Sequence, residues 1–398
     1  MIKVIPGITL FVGIGIGFAT AASITACANR TPFESSGYDA KTSLPWKTQQ
    51  RNVESIVDPN DGESFAELLS ELEEKRAVFV GETHDRYDHH LNQLAIIRGL
   101  HERGVDLAVG MEFFQAPFQP VLDQYVAGEI EEKEFLRKTE YYERWKYDYR
   151  LYRDILVYAR NNGISLVALN APSELVARVS KGGIAGLTAE ERALLPIDLP
   201  SPGSTYIDRL RPVFEMHGKM PEERFRRFVE VQLLWDEHMA SVAGDYLRSN
   251  SEKTLVILAG SGHVAFPDAI PGRLARLENA PQAVVVTGSD TNNASVVADF
   301  VLAERDIELG LPGRLGMMLA SEDAGVKIGE VRPASPADKA GFLPGHRIHS
   351  IAGEAVRNMQ DVRLALLDRM PGEEVWVEFE PGVKPRNGET QGRALTLL

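Results

Sequence analysis

Two apolar runs in this chain end in the same way. Ala77-Val78-Phe79-Val80 breaks at Gly81 and delivers His84, and Thr254 to Ala259 breaks at Gly260 and delivers His263. Gly81-Glu82-Thr83-His84 and Gly260-Ser261-Gly262-His263 are therefore one G-x-x-H pattern used twice. A buried parallel strand reads as a continuous apolar run, and open α/β sheets bind ligands just beyond the carboxyl ends of such strands. If both runs share one sheet, two imidazoles meet in one crevice.

The surrounding rhythm supports such a sheet. Leu107 to Phe113, Ser165 to Leu169 and Ala283 to Thr287 also read as strands. Helical patterns separate them: Ser64 to Glu74, Arg86 to Arg103, Phe118 to Asn161 with a tyrosine-dense centre, and Glu222 to Leu247. The last carries an apolar stripe of Phe225, Phe228, Trp235, Met239, Val242 and Tyr246. Residues 61–304 are thus expected to form an α/β domain, a mainly parallel sheet flanked by helices with a helical insertion. Residues 305–312 read as a linker. Residues 313–398 are short β-rich runs with one helix, an α+β domain.

The 398 residues carry a formal net charge of -14 and no Lys/Arg run, which argues against nucleic acid as a partner. The first residues resemble a secretory signal. Lys3 precedes an apolar stretch from Val4 to about Ala22, then Ser23-Ile24-Thr25-Ala26-Cys27. Cys27 is the only cysteine, and its position resembles the lipidated residue of a bacterial lipobox. An uncleaved membrane anchor is the alternative reading. Ala28 after the cysteine resembles the sorting pattern of the outer membrane, so a lipid-anchored outer-membrane protein is expected. Residues 28–60, polar and without helix or strand period, read as a tether.

The strand-end rule gathers Glu82, His84, Glu112, Asn170, Ser261 and His263. Two histidines and two glutamates converging on one edge suit a divalent metal ion, or acid–base catalysis in which a carboxylate orients an imidazole. Glu82, His84, Glu112 and His263 are therefore both the candidate catalytic set and the candidate metal set. The plainer alternative is that each histidine serves only the core. Glu112 follows an apolar strand, where an unpaired carboxylate is costly, so it needs a partner, His84 or His263. His90 reads as structural, and His238 flanks a buried stripe.

Five segments in this order carry a resemblance: Val80-Gly81-Glu82-Thr83-His84-Asp85, Gly110-Met111-Glu112-Phe113-Phe114, Trp145 through Tyr152-Arg153, Ala168-Leu169-Asn170-Ala171-Pro172, and Gly260-Ser261-Gly262-His263. Together they resemble the ChaN-type haem-binding lipoproteins, relatives of the TIKI/TraB and erythromycin-esterase-like proteins. The resemblance implies haem or iron uptake at the bacterial envelope. It implies a homodimer with two cofacial haems, a tyrosine on each iron, and a histidine and a lysine at the propionates. A phenolate is a hard ligand that suits ferric haem. Tyr149 and Tyr152 are the first candidates for it, with Lys146, His84 and His263 as further haem-binding residues. The group's enzymes imply a rival: a TIKI-like metal-dependent peptidase, or an esterase-like hydrolase using His and Glu to activate water.

The end of the chain resembles a bacterial PDZ domain. The resemblance rests on Ser335-Pro336-Ala337-Asp338-Lys339-Ala340-Gly341-Phe342-Leu343-Pro344-Gly345, followed by His346 where the family usually has Asp. Such domains add an extended peptide to a sheet edge and capture its C-terminal carboxylate in a backbone nest. Leu315-Gly316-Met317-Met318 would be that loop, and its two methionines suggest an adaptable apolar pocket. His346 and His349 are expected at the surface.

Overall fold

Parallel pairing joins seven strands: β1 (Ile56–Val57), β2 (Ala77–Glu82), β3 (Leu107–Gln115), β4 (Ser165–Asn170), β5 (Thr254–Gly260), β6 (Gln282–Thr287) and β7 (Phe300–Leu302). The computed structural model describes residues 56–196, 199–216, 218, 220–288, 298–323, 325–382 and 390–398. Cys27, the signal-like segment and nearly all of the expected tether lie outside the described residues.

The strand order is β1-β7-β6-β2-β5-β3-β4. The chain passes from β2 to β3 and β4 on one side, then returns β5 between β2 and β3. That reversal is where open α/β sheets form their ligand crevice. β2 and β5 are fully buried, and their side chains alternate between two apolar layers. Val78 and Val80 join the layer with Ile97, Leu122 and Leu156, while Ala77 and Phe79 join Met239, Ala243 and Leu247.

Two expectations about the α/β domain change. The segment from Phe118 to Asn161 is not one helix. It is built from Gln119–Val126, Glu132–Lys138, Tyr141–Arg144 and Arg153–Asn161, with a 3-10 turn at Tyr149–Leu151. Glu140 and Lys146, at φ 51° and 72°, sit in the left-handed region and end helical propagation on either side of Tyr141–Arg144. The end of the expected tether, Ile56–Val57, instead pairs with β7. β1 forms the sheet edge beyond β7, and both strands are too brief to register as a period. Among the described residues no helix is long and apolar enough to cross a membrane.

The second sheet is antiparallel, β13-β12-β10-β9-β8, with β11 paired to β10. Its strands are β8 (Met317–Glu322), β9 (Gly325–Val331), β10 (Arg347–Ile351), β11 (Glu354–Ala355), β12 (Glu374–Glu380) and β13 (Gln391–Thr396). Helices Pro336–Lys339 and Met359–Ala365 complete the α+β arrangement that the PDZ resemblance implies. His346 is buried, not at the surface. Its Nδ1 accepts the Leu343 N–H at 3.3 Å, as a carboxylate would, and its ring stacks on Phe379 at 4.6 Å.

The Met359–Ala365 helix belongs to both cores. Val362 and Ala365 pack into the PDZ domain, while Leu364 and Leu367 enter the apolar layer of the α/β domain. Leu364 is fully buried there. Replacing it by Ala should cost about 2–5 kcal/mol. Because the helix is shared, calorimetry should show one unfolding transition moving to lower temperature. A PDZ transition shifting while the α/β transition stays fixed would contradict the shared core.

Candidate functional site

In the β2–β5 pairing, Glu82 stands opposite Gly260, so the two G-x-x-H turns lie side by side. Each glycine makes room for the other turn. A Cβ on Gly81 would meet Ser261 Oγ at 2.7 Å and Val264 Cγ2 at 3.0 Å. A Cβ on Gly260 would meet His84 Cε1 at 2.9 Å. A side chain at residue 81 must displace Ser261 or Val264, and one at residue 260 must displace the His84 ring.

His84 Nδ1–H donates to Glu82 Oε1 at 2.5 Å. His263 Nδ1–H donates to Asp236 Oδ1, also at 2.5 Å. Glu112 holds the middle ground. Its Oε2 accepts the Gly260 N–H at 2.7 Å, and its Oε1 lies 3.6 Å from His263 Nε2. Two imidazoles, each backed by its own carboxylate, therefore flank a third carboxylate. Glu82, His84 and Glu112 each offer an atom within 4.8 Å of the others, a donor set that suits a hard cation. His84, His263 and Glu112 keep 17%, 12% and 7% of their side-chain surface exposed, enough for a ligand to reach them.

Charge balance sets the protonation. Burial works hardest against a charged His84, but the Glu82 carboxylate beside it prevails and lifts its pKa to about 9. Burial likewise opposes the Glu82 charge, and His84 and His90 still pull it below its usual range. His263 is raised despite burial, by Glu112 and Asp236. At neutral pH the cleft thus presents the N–H donors of the His84 imidazolium.

Asp236 was not singled out in the sequence, although its neighbour His238 was. The signal was available: a carboxylate on the buried face of the Glu222–Ser249 helix requires partners. Tyr206 donates its hydroxyl to Asp236 Oδ2 at 2.8 Å, and Arg273 pairs with the adjacent buried Glu237. His238 points elsewhere, donating Nδ1–H to the Leu169 carbonyl at 3.0 Å. Asn170 donates to the Glu112 carbonyl at 2.9 Å and braces the strand ends. His90 is buried between the Gln93 side chain and the His84 carbonyl.

The structure places the two candidate tyrosines in the core. Tyr149 and Tyr152 are both 0% exposed. Tyr149 donates its hydroxyl to Glu132 Oε1 at 2.9 Å, and Tyr152 donates to the His84 carbonyl at 3.2 Å. Burial holds both phenols well above their usual pKa, which disfavours the phenolate a ferric iron takes. Among the five tyrosines from Tyr141 to Tyr152, Tyr147 alone is not buried. Its ring lies 5.0 Å from that of His84, and Trp145 lies 4.8 Å from it on an edge. Lys146, between them, is exposed. In the PDZ domain, Met317 and Leu319 pack toward the core while Met318 is 67% exposed on the other face. Only the first of the two methionines can therefore line the expected pocket.

The model of a family described as haem-binding uptake, Tiki superfamily, ChaN, matches residues 68–274, and a PDZ-domain model matches residues 327–381. The solved structure of ChaN of Campylobacter jejuni with cofacial haem is 19% identical, covers 61% of this chain and 92% of its own, and gives a TM-score of 0.50. The peptide-bound PDZ domain of a carboxy-terminal protease from Vibrio cholerae is 21% identical, covering 22% of this chain and 95% of its own at a TM-score of 0.19. A curated relative, the chloroplastic protein RETICULATA-RELATED 5 of Arabidopsis thaliana, is 24% identical over 269 residues, 60% of this chain. The chain spans 35% of that relative's length.

The His84–Glu82 pair predicts a pH dependence. A histidine whose folded pKa is raised from 6.5 to about 9 contributes stability fully below pH 6.5 and loses it as pH rises through about 9. Melting temperature should therefore fall more steeply between pH 6.5 and 9 in the unaltered chain than in His84→Gln. Parallel slopes would show that the pair does not stabilise the fold.

Proposed function

This chain belongs to the haem-binding uptake family of the Tiki superfamily, the ChaN group, and on that premise we propose that it is a lipid-anchored haem-binding protein of the bacterial outer membrane, serving haem or iron acquisition. The observation that carries this reading is the crevice rim at Trp145-Lys146-Tyr147, where Lys146 is exposed and both rings are half-buried beside His84. Haem is the cargo. Tyr147 supplies the phenol oxygen for ferric iron, and Trp145 supplies an aromatic face for the macrocycle. Lys146 and the imidazolium of His84 supply cationic donors suited to propionates. The haem-bound Campylobacter jejuni ChaN is described as cofacial, which supports a homodimer here. Cys27 carries the lipid in this reading.

The PDZ domain holds a partner's free C-terminus. β8 lies at the end of its sheet and, among the described residues, pairs only with β9. An extended peptide can add to that open edge, with its carboxylate at Leu315-Gly316-Met317 and its last apolar side chain near Met317 and Leu319.

A second reading, hydrolysis, is favoured by one observation: Glu112 between two carboxylate-backed imidazoles is an arrangement that can move a proton to and from water. In that reading Glu112 and His263 exchange the proton, and Glu82 and Asp236 hold the imidazoles in place.

Haemin titration of the full chain in detergent tests the first reading. A saturable Soret band of the tyrosinate-ligated ferric type is expected, and Tyr147→Phe should weaken binding roughly tenfold or more. Tyr149→Phe and Tyr152→Phe should keep that band. Absence of saturable binding, or an unchanged spectrum in Tyr147→Phe, refutes the assignment. Hydrolysis of ester or peptide substrates that disappears in Glu112→Gln would favour the second reading.

A further inference from the structure

The helix shared by the two cores also reaches the crevice rim. Gln360 Oε1 accepts the Tyr142 N–H at 3.3 Å, and Gln360 Nε2 donates to the Arg137 carbonyl at 3.5 Å. Arg363 places its guanidinium 5.2 Å from the centre of the Tyr142 ring and donates to the carbonyl of Lys146 at 3.4 Å. Arg137 pairs with Asp361 at 3.0 Å and Arg153 with Asp368 at 2.6 Å, fixing both ends of the contact. Lys133 pairs with Glu354 at 2.5 Å. One face of the helix therefore grips the backbone from Arg137 to Lys146.

That backbone is held in an uncommon conformation. Glu140 and Lys146 lie in the left-handed region, which non-glycine residues visit sparsely and keep only when their surroundings enforce it. Lys146 is flanked by Trp145 and Tyr147, the two rings against His84. The other side of the helix looks into the PDZ domain. Met359 and Leu366 are half-buried there beside Met317 and Leu319 of the open edge strand. A peptide entering between β8 and this helix must press on the same element that fixes Lys146.

We propose that the Met359–Ala365 helix couples the two sites, so that a peptide C-terminus in the PDZ groove changes how tightly the Trp145-Lys146-Tyr147 rim holds its ligand. Arg363 is the coupling residue and contacts neither ligand. The coupling rests on the haem reading only for the identity of that ligand. Because coupling between binding sites is reciprocal, haemin at the rim must alter the groove as well.

Hydrogen exchange of the full chain in detergent, with haemin as the probe, tests this. Haemin should slow amide exchange several-fold in Met317–Glu322 and Met359–Ala365 of the unaltered chain. In Arg363→Gln that remote protection should vanish, with haemin affinity weakened several-fold, whereas Arg363→Lys should restore part of both. Arg363 is exposed, so the substitution leaves the core intact. Protection confined to the crevice, or equal haemin affinity with and without Arg363, overturns the coupling. If haemin gives no saturable Soret band, the haem reading falls separately. The coupling is then read from Trp145→Ala, which must speed exchange in Met317–Glu322, and unchanged exchange there overturns it.

Discussion

The register of β2 against β5 sets Glu82 opposite Gly260 and brings two histidine-bearing turns so close that a Cβ at residue 81 or 260 would meet the Ser261 or His84 side chain under 3.0 Å. From that approach the rest follows. His84 lies over Gly260 within reach of Glu112, and His263 comes within 3.6 Å of the same carboxylate. Five ionisable groups then share a poorly solvated space. Each imidazole there has its own carboxylate partner, Glu82 for His84 and Asp236 for His263.

Much of this was legible in the sequence, for physical reasons. The continuous apolar runs before Gly81 and Gly260 read as buried parallel strands, and the same glycine-to-histidine spacing twice implied one crevice if the two shared a sheet. Glu112 was legible because a carboxylate ending an apolar strand demands a partner. What escaped was whatever depends on tertiary contact. β1 and β7 are too short to show a period. Asp236 sits beside a histidine that drew attention by residue type, yet the burial of its helix face decided which of the two reaches the site. Tyr149 and Tyr152 were chosen from a tyrosine-rich segment whose composition gives no hint of exposure. The left-handed turns at Glu140 and Lys146 break that segment, bury four of its tyrosines and leave Tyr147 at the rim. His346 shows the reverse case, an unusual residue whose ring nitrogen accepts the hydrogen bond that holds the turn.

The PDZ domain is more than an appendage on a linker. Leu364 of its helix and Leu367 just beyond the helix end complete the apolar layer beneath the tyrosine-rich segment, and four ion pairs frame that contact. Exposed ion pairs contribute little each, so the two leucines carry most of the docking energy. The consequence is positional. The PDZ domain is fixed to the wall of the crevice, and its helix reaches the backbone at Lys146.

The central claim is that Tyr147, beside the His84 crevice, receives a ferric haem. A crystal structure of the full chain with haemin tests it most directly. The account predicts iron bonded to the Tyr147 hydroxyl oxygen, with a propionate near Lys146 or His84. Iron bonded elsewhere, with the Tyr147 side chain still packed against His84 as it is now, would contradict it.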